Sequence, residues 1–418
     1  MHHKLNWAIL LWGLSLHTFA DGLQDNVVDQ VRPVPPKGIQ IEPADRVQLE
    51  NHLTKLESEI EETRNFLEAS KNHRLLGFMP DVEIFHKAVS YALQDHQFYR
   101  PQEVQTALDQ IQQAHVRLEQ LKQGLTPWTE KTGLVFQGYR SRIDGSVQPY
   151  GLVVPDSYTF EGKESYRLDF WFHGRGEKLT ELDFIRQRQK DLGPFTPKDT
   201  IVLHLYGRYC NANKFAGEID LFEALEEVKR RYRIDENRLV VRGFSMGGAA
   251  CWQFAVHYAG LWAAAAPGAG FSETADFLKV FQNETLAPTW YEMKLWHMYD
   301  CTDYALNLYH CPTVAYSGEV DRQKQAADIM EVALQKEGMD LVHLIGPGMG
   351  HQYYPDSKIE IDRRLDSIAS VGRNPVPDTV RFTTYTLRYN KMYWVTLEGL
   401  EEHLPALPLI GTHLILLR

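Results

Sequence analysis

One serine in this chain sits where a nucleophile would be built. In Leu239-Val240-Val241-Arg242-Gly243-Phe244-Ser245-Met246-Gly247-Gly248 an apolar, β-branched run enters Gly-x-Ser-x-Gly, and a small-residue stretch, 249–254, follows at once. The pattern predicts a strand, a sharp turn and a helix. Such a turn holds the serine in a strained backbone conformation, which lifts its hydroxyl clear of the sheet and leaves the next backbone N–H free. Glycines two before and two after the serine remove side chains that would collide in so tight a bend.

A serine hydroxyl is a poor nucleophile until a base takes its proton, and the base needs a carboxylate to hold its tautomer. Gly318-Glu319-Val320-Asp321 follows one predicted strand and Pro347-Gly348-Met349-Gly350-His351 follows the next. Ser245, Asp321 and His351 thus supply nucleophile, acid and base in chain order, each at a strand end, where open α/β sheets place their sites. Glu319 is the rival acid. His351 standing alone would read as a surface loop histidine, but few of the 17 histidines follow the acid in such a loop. His343 falls within a strand, and His403 and His413 lie in the C-terminal stretch. His173-Gly174-Arg175-Gly176 closes another predicted strand. The N–H groups of Gly174 or Arg175, with that of Met246, would face a developing oxyanion; a plain glycine turn is the competing reading.

The elements needed to position these residues are legible as an alternation. Period-two runs at 133–139 and 147–154 flank Asp144-Gly145, and 167–172 is a third strand. Further strands fall at 200–205, 313–316 and 340–345, with helical patterns at 179–189, 216–232, 323–337 and 357–370. Alternation of this kind predicts a mainly parallel α/β sheet. Ahead of it, three amphipathic stretches predict a helical module over 45–125, with Leu49, Leu53, Leu56 and Ile60 in the first, Val82, Phe85, Val89 and Leu93 in the second and Val104, Leu108, Ile111, Leu118 and Leu121 in the third. It reads as a cap or prop on the catalytic region, or as a partner-binding hairpin. Alternating residues at 379–389 and 392–397 predict a hairpin within a small β appendage over 375–418. The aromatic stretch from Trp290 to Asp300 either packs in the core or stacks a sugar or phenolic ring.

The elbow, the glycine loop and the acid and histidine loops resemble the α/β-hydrolase superfamily over residues 133–370. The doubled glycine of Gly243-Phe244-Ser245-Met246-Gly247-Gly248 resembles the prolyl oligopeptidase family and the secreted feruloyl, acetylxylan and polyhydroxybutyrate esterases. That resemblance implies a serine hydrolase that cleaves carboxylic esters through an acyl-enzyme on Ser245, with a small-molecule or polysaccharide-linked ester as substrate. A serine peptidase acting on peptides is the second reading, weakened because no run of blade repeats precedes the catalytic region. A catalytically silent hydrolase fold used for binding is the third, disfavoured because all three triad positions are filled.

Composition narrows the remaining classes. The chain has 418 residues, 44% hydrophobic and 24% charged, with a formal charge of −11, which argues against nucleic acid or an anionic membrane as a partner. The N-terminus is short and basic, then apolar from Leu5 to Leu16, with small residues before Ala20. It reads as a secretory signal over 1–20, leading to a secreted or periplasmic mature chain with no membrane span, and a proline-bearing linker at 21–44. Cys210, Cys251, Cys301 and Cys311 fit one or two disulfides, with Cys301–Cys311 or Cys210–Cys301 as pairings and Cys251 as a buried thiol. No Cys/His cluster has zinc spacing, so neither a metal nor a cofactor is expected.

Overall fold

The computed structural model describes residues 34–400 and the backbone of 414–417. The expected signal segment and residues 21–33 of the expected linker lie outside the described residues. Residues that follow are extended and pinned, with Gly38 N–H bonded to the His96 carbonyl and Ile39 N–H to that of Phe98.

Four helices come first: α1 (Pro43–Ala69), α2 (His73–Leu76), α3 (Pro80–Gln94) and α4 (Gln102–Lys122). Leu49, Leu53, Leu56, Ile60 and Leu67 recur every three to seven residues, so α1 buries one stripe and leaves its charged face in water. Both α1 and α3 open on a proline, whose missing N–H costs nothing in a first turn. Helix α3 is buried on nearly all sides, Asp81 and Glu83 included. The short α2, capped by the Asn72 side chain on Leu75 N–H, has no periodic signal to announce it.

Those helices share one core with the region that follows. Val147, Leu182, Phe184 and Ile185 join Leu56, Phe85, Ile111 and Leu118 in a continuous cluster. The Asp81 carboxylate accepts from Gly138 N–H at 2.8 Å and from Trp128 Nε1 at 2.8 Å, and pairs with Arg231 at 2.7 Å. The Asp81 carbonyl accepts from Arg117 Nη1 at 2.6 Å, and the Arg117 guanidinium lies 4.4 Å from the Phe136 ring. The helical module is therefore docked through a buried polar hub as well as through apolar surface.

From Gly133 the chain alternates: β1 (Gly133–Arg140), β2 (Val147–Val154), β3 (Tyr166–Phe172), α5 (Glu181–Arg188), β4 (Thr200–Leu205), α6 (Ala216–Arg231), β5 (Ile234–Phe244) and α7 (Met246–His257). Next come β6 (Ala264–Gly268), α8 (Trp290–Trp296), β7 (Val314–Gly318), α9 (Lys324–Lys336), β8 (Val342–Gly346) and α10 (Pro355–Val371). The strands form one sheet in the order β1-β2-β4-β3-β5-β6-β7-β8, in which β2 alone runs against the others.

Leu168, Phe170, Phe172 and Val241 face Trp252 and Phe254 on one side of this sheet. Val240, Ala264, Val314 and Tyr316 meet Ile361 and Leu365 of α10 on the other. Burial on both faces is why the central strands are almost continuously apolar. The exception is ionic: Arg242, 1% exposed, lies 2.8 Å from Asp169 and 2.6 Å from Asp362, which ties β3 and β5 to α10.

Three expectations are corrected. The C-terminal hairpin of 379–389 with 392–397 does not form. Strand β9 (Thr379–Phe382) pairs with β12 (Leu414–Leu417), while β10 (Lys391–Met392) and β11 (Val395–Thr396) make their own two-residue ladder. The alternation arises because Val380, Phe382, Tyr389, Met392 and Val395 insert into the main core. All four cysteines are thiols. Cys301 opens a ten-residue 3₁₀ run that Cys311 follows, and both are buried. One of the two readings of the aromatic stretch, core packing, fails for its first part: Trp290, Tyr291, Met293 and Leu295 of α8 are exposed, while residues 296–300 are half-buried.

Candidate active site

Ser245 joins β5 to α7 with φ 60° and ψ −123°. A non-glycine residue pays strain to hold such a conformation, and surrounding structure must over-determine it. Here Ser245 N–H is bonded to the Gly268 carbonyl at 2.9 Å, and the Ser245 carbonyl accepts from Ala249 N–H at 3.1 Å. The motif glycines permit the bend through close backbone approach. A Cβ on Gly243 would collide with the Gly247 carbonyl, one on Gly247 with the Phe172 carbonyl, and one on Gly248 with the Gly268 carbonyl. The doubled glycine thus lets α7 lie against the ends of both β3 and β6.

Asp321 lies in the turn after β7 and His351 in the loop after β8, and the structure brings them together. His351 Nδ1 is 2.7 Å from Asp321 Oδ2, with the Asp321 side chain 5% exposed and that of His351 40% exposed. The His351 ring packs 4.9 Å from that of Phe244, the residue before Ser245. The Ser245 hydroxyl has no hydrogen bond among the described residues; such bonds often tighten only around substrate. With Nδ1 facing a carboxylate, the imidazole carries its proton there and leaves Nε2 as the basic nitrogen.

Glu319, the rival acid, is directed elsewhere: its Oε2 accepts from Gly348 N–H at 2.7 Å and so holds the histidine loop. Val320 N–H bonds to the Met349 carbonyl at 3.0 Å, and a Cβ on Gly318 would collide with the Gly350 carbonyl. Tyr316 completes the clamp, its hydroxyl donating to the Gln352 carbonyl at 2.8 Å and accepting from Tyr354 N–H at 2.7 Å. Sequence reading missed both positioning roles. A core-facing strand tyrosine gives no local signal that its hydroxyl will reach a loop more than 30 residues away.

Gly174 stands beside the nucleophile, so that a Cβ on it would be 3.6 Å from Ser245 Cβ. His173 fixes this loop, its ring nitrogens lying 2.8 Å from the Gly174 carbonyl and 2.9 Å from that of Tyr206. The Arg175 guanidinium turns to Glu177 at 2.7 Å. Met246 is the first residue of α7, whose first-turn N–H groups have no intrahelical acceptor and carry the positive end of the helix dipole. An oxygen placed between Gly174 and Met246 would meet a site suited to negative charge. Asp328 and Glu331 of α9 and His343 of β8 lie close enough together to share a cation, and Asp328 already pairs with Lys324 at 2.5 Å.

One antiparallel strand in this sheet order, with a strained serine after β5, an acid after β7 and a histidine after β8, defines an α/β-hydrolase fold. Residues 211–368 match the Prolyl oligopeptidase family. Among solved structures, a ferulic acid esterase is 14% identical with a TM-score of 0.43, covering 58% of this chain and 100% of that one. The fluorophosphonate-binding serine hydrolase F of Staphylococcus aureus is 17% identical with a TM-score of 0.42, covering 57% and 99%. A putative dipeptidyl aminopeptidase IV from Bacteroides ovatus is 11% identical with a TM-score of 0.43, covering 58% of this chain and only 36% of its own. No curated protein matches the sequence.

Proposed function

We propose that this protein hydrolyses carboxylic esters through an acyl-enzyme on Ser245, with His351 as base and Asp321 as its orienting carboxylate. The observation that carries the reading is the His351–Asp321 bond of 2.7 Å beside the strained serine. Ser245 Oγ attacks the ester carbonyl as His351 Nε2 takes its proton. The oxyanion is met by the N–H of Met246 with that of Gly174 or Arg175. Collapse expels the alcohol, protonated by His351, and leaves the acyl group on serine. Water then attacks as His351 takes its proton, and the acid departs as serine recovers its own. One oxyanion donor is typically worth about 100-fold to 1,000-fold in rate.

A serine peptidase is the second reading, favoured by the family match over 211–368. Against it, among the described residues helices α1–α4 rather than propeller blades precede the catalytic sheet. The proposal includes export with removal of residues 1–20. The test is a panel of acyl esters and prolyl amides assayed on chain recovered from its own host, with the mature N-terminus sequenced. Ester turnover in excess of amide turnover, from a chain beginning at Asp21, is the expected result. Preference for prolyl amides would select the peptidase, and an intact Met1 would remove export.

A further inference from the structure

The loop after β4 holds more residues at positive φ than the elbow does. Six of its nine residues from 207 to 215, namely Gly207, Arg208, Tyr209, Ala212, Asn213 and Phe215, have positive φ. Five of them are not glycine, and backbone strain of this density collects at functional sites. Its root is pinned by Arg208, which reaches Asp220 at 2.9 Å, Asp144 at 2.7 Å and Ser141 Oγ at 2.8 Å. Its middle holds the oxyanion loop: Cys210 Sγ accepts from Gly176 N–H at 3.3 Å, and the Tyr209 hydroxyl donates to the Glu177 carbonyl at 2.6 Å. Ala212 packs with Met246 and Ala249 on the first turn of α7, where Phe271 also lies.

What this strained scaffold presents is a cation. Lys214 Nζ stands 4.5 Å from the centre of the Tyr299 ring and 5.8 Å from that of Phe271. Phe215, 67% exposed, closes edge-on against Tyr299 at 5.7 Å. Among the described residues no carboxylate lies within ion-pair distance of this ammonium. Those nearest are otherwise engaged: Glu218 accepts from Tyr258, Tyr389, Gln253 and Arg388, and Asp300 from Thr274. Burial pushes the Asp300 carboxyl up to about 7, so below that pH even this longer-range charge is lost. Two rings compensate a desolvated cation only in part.

We propose that Lys214 is a specificity-determining residue that receives a carboxylate of the substrate, so that the enzyme selects esters bearing a second, ionised acid group. This rests on the hydrolase reading above and narrows its substrate class. A charge-assisted hydrogen bond of this kind would be worth about tenfold to a hundredfold in kcat/KM.

Two matched pairs test it and locate the charge. For the acyl side the probes are the p-nitrophenyl half-ester of adipate and its methyl ester. For the alcohol side they are 4-acetoxybenzoate and its methyl ester. The wild-type chain should favour the anionic member of one pair by at least about tenfold, chiefly through KM. Lys214→Gln should bring that ratio close to one, and Lys214→Arg should restore most of it. Fluorophosphonate labelling of each variant verifies that it is folded around a live elbow. A lysine that merely clamps the two rings would lower the melting temperature on substitution without changing the ratio, and that result would overturn the proposal. Equal turnover within both pairs by wild type would also overturn it while leaving the hydrolase reading standing. Absence of turnover together with absence of labelling would remove both.

Discussion

Glu319 and Asp321 stand two residues apart in one turn, yet only Asp321 touches His351. The difference is geometric: Asp321 points inward and is 5% exposed, while Glu319 reaches across to Gly348 N–H. Asp321→Asn should therefore cost on the order of 10³–10⁴-fold in kcat, because an amide cannot hold the imidazole in the same tautomer. Glu319→Gln keeps an oxygen that can accept from Gly348 and should lose less than about tenfold, by the small net worth of one surface hydrogen bond. Steady-state kinetics on the two variants decide this, and equal losses would contradict the assignment. At this scale the placement of Ser245 and His351 at strand ends was legible because strand-end spacing is local. The sequence favoured Asp321 over Glu319 from its place in that loop, but the partners of the two carboxylates were not readable, since the bond of Glu319 depends on a backbone N–H contributed by a different strand end.

At the scale of elements, local patterns sufficed wherever an element buries one stripe. Strand β5, helix α7 and the amphipathic α1 follow from their own residues. The β9–β12 pairing does not, because inserting Tyr389 and Met392 into the main core mimics the alternation of a hairpin. Asp81 is the clearest case of hidden tertiary information: in sequence it is one acidic residue in the first turn of α3, in the fold it is fully buried on Arg231, Trp128 and Gly138. Asp81→Asn removes one of the two carboxylates that pair with buried Arg231, leaving only Glu227, and turns an NH₂ group toward at least one of the donors. Equilibrium urea unfolding should show a loss of roughly 3–5 kcal/mol. A change below about 1 kcal/mol would place that hub among dispensable surface pairs.

Across the whole molecule, the central sheet carries the candidate site and the flanking parts pack against it in separate places. The parallel strands deliver Ser245, Asp321 and His351 to their C-terminal ends, which the alternation of strand and helix patterns already implied. The helical module and the C-terminal strands then brace the sheet from outside the catalytic loops, a placement set by contacts distant in sequence and hence unreadable from periodicity. The strained 207–215 loop bridges the oxyanion loop and the first turn of α7. Each of these parts serves a single claim, that Ser245 is an activated nucleophile. Fluorophosphonate labelling of the purified chain beside its Ser245→Ala variant, both verified as folded by circular dichroism, tests it most directly. One label per wild-type chain and none on the variant is the expected result. Label that persists on the variant, or is absent from both, would contradict it.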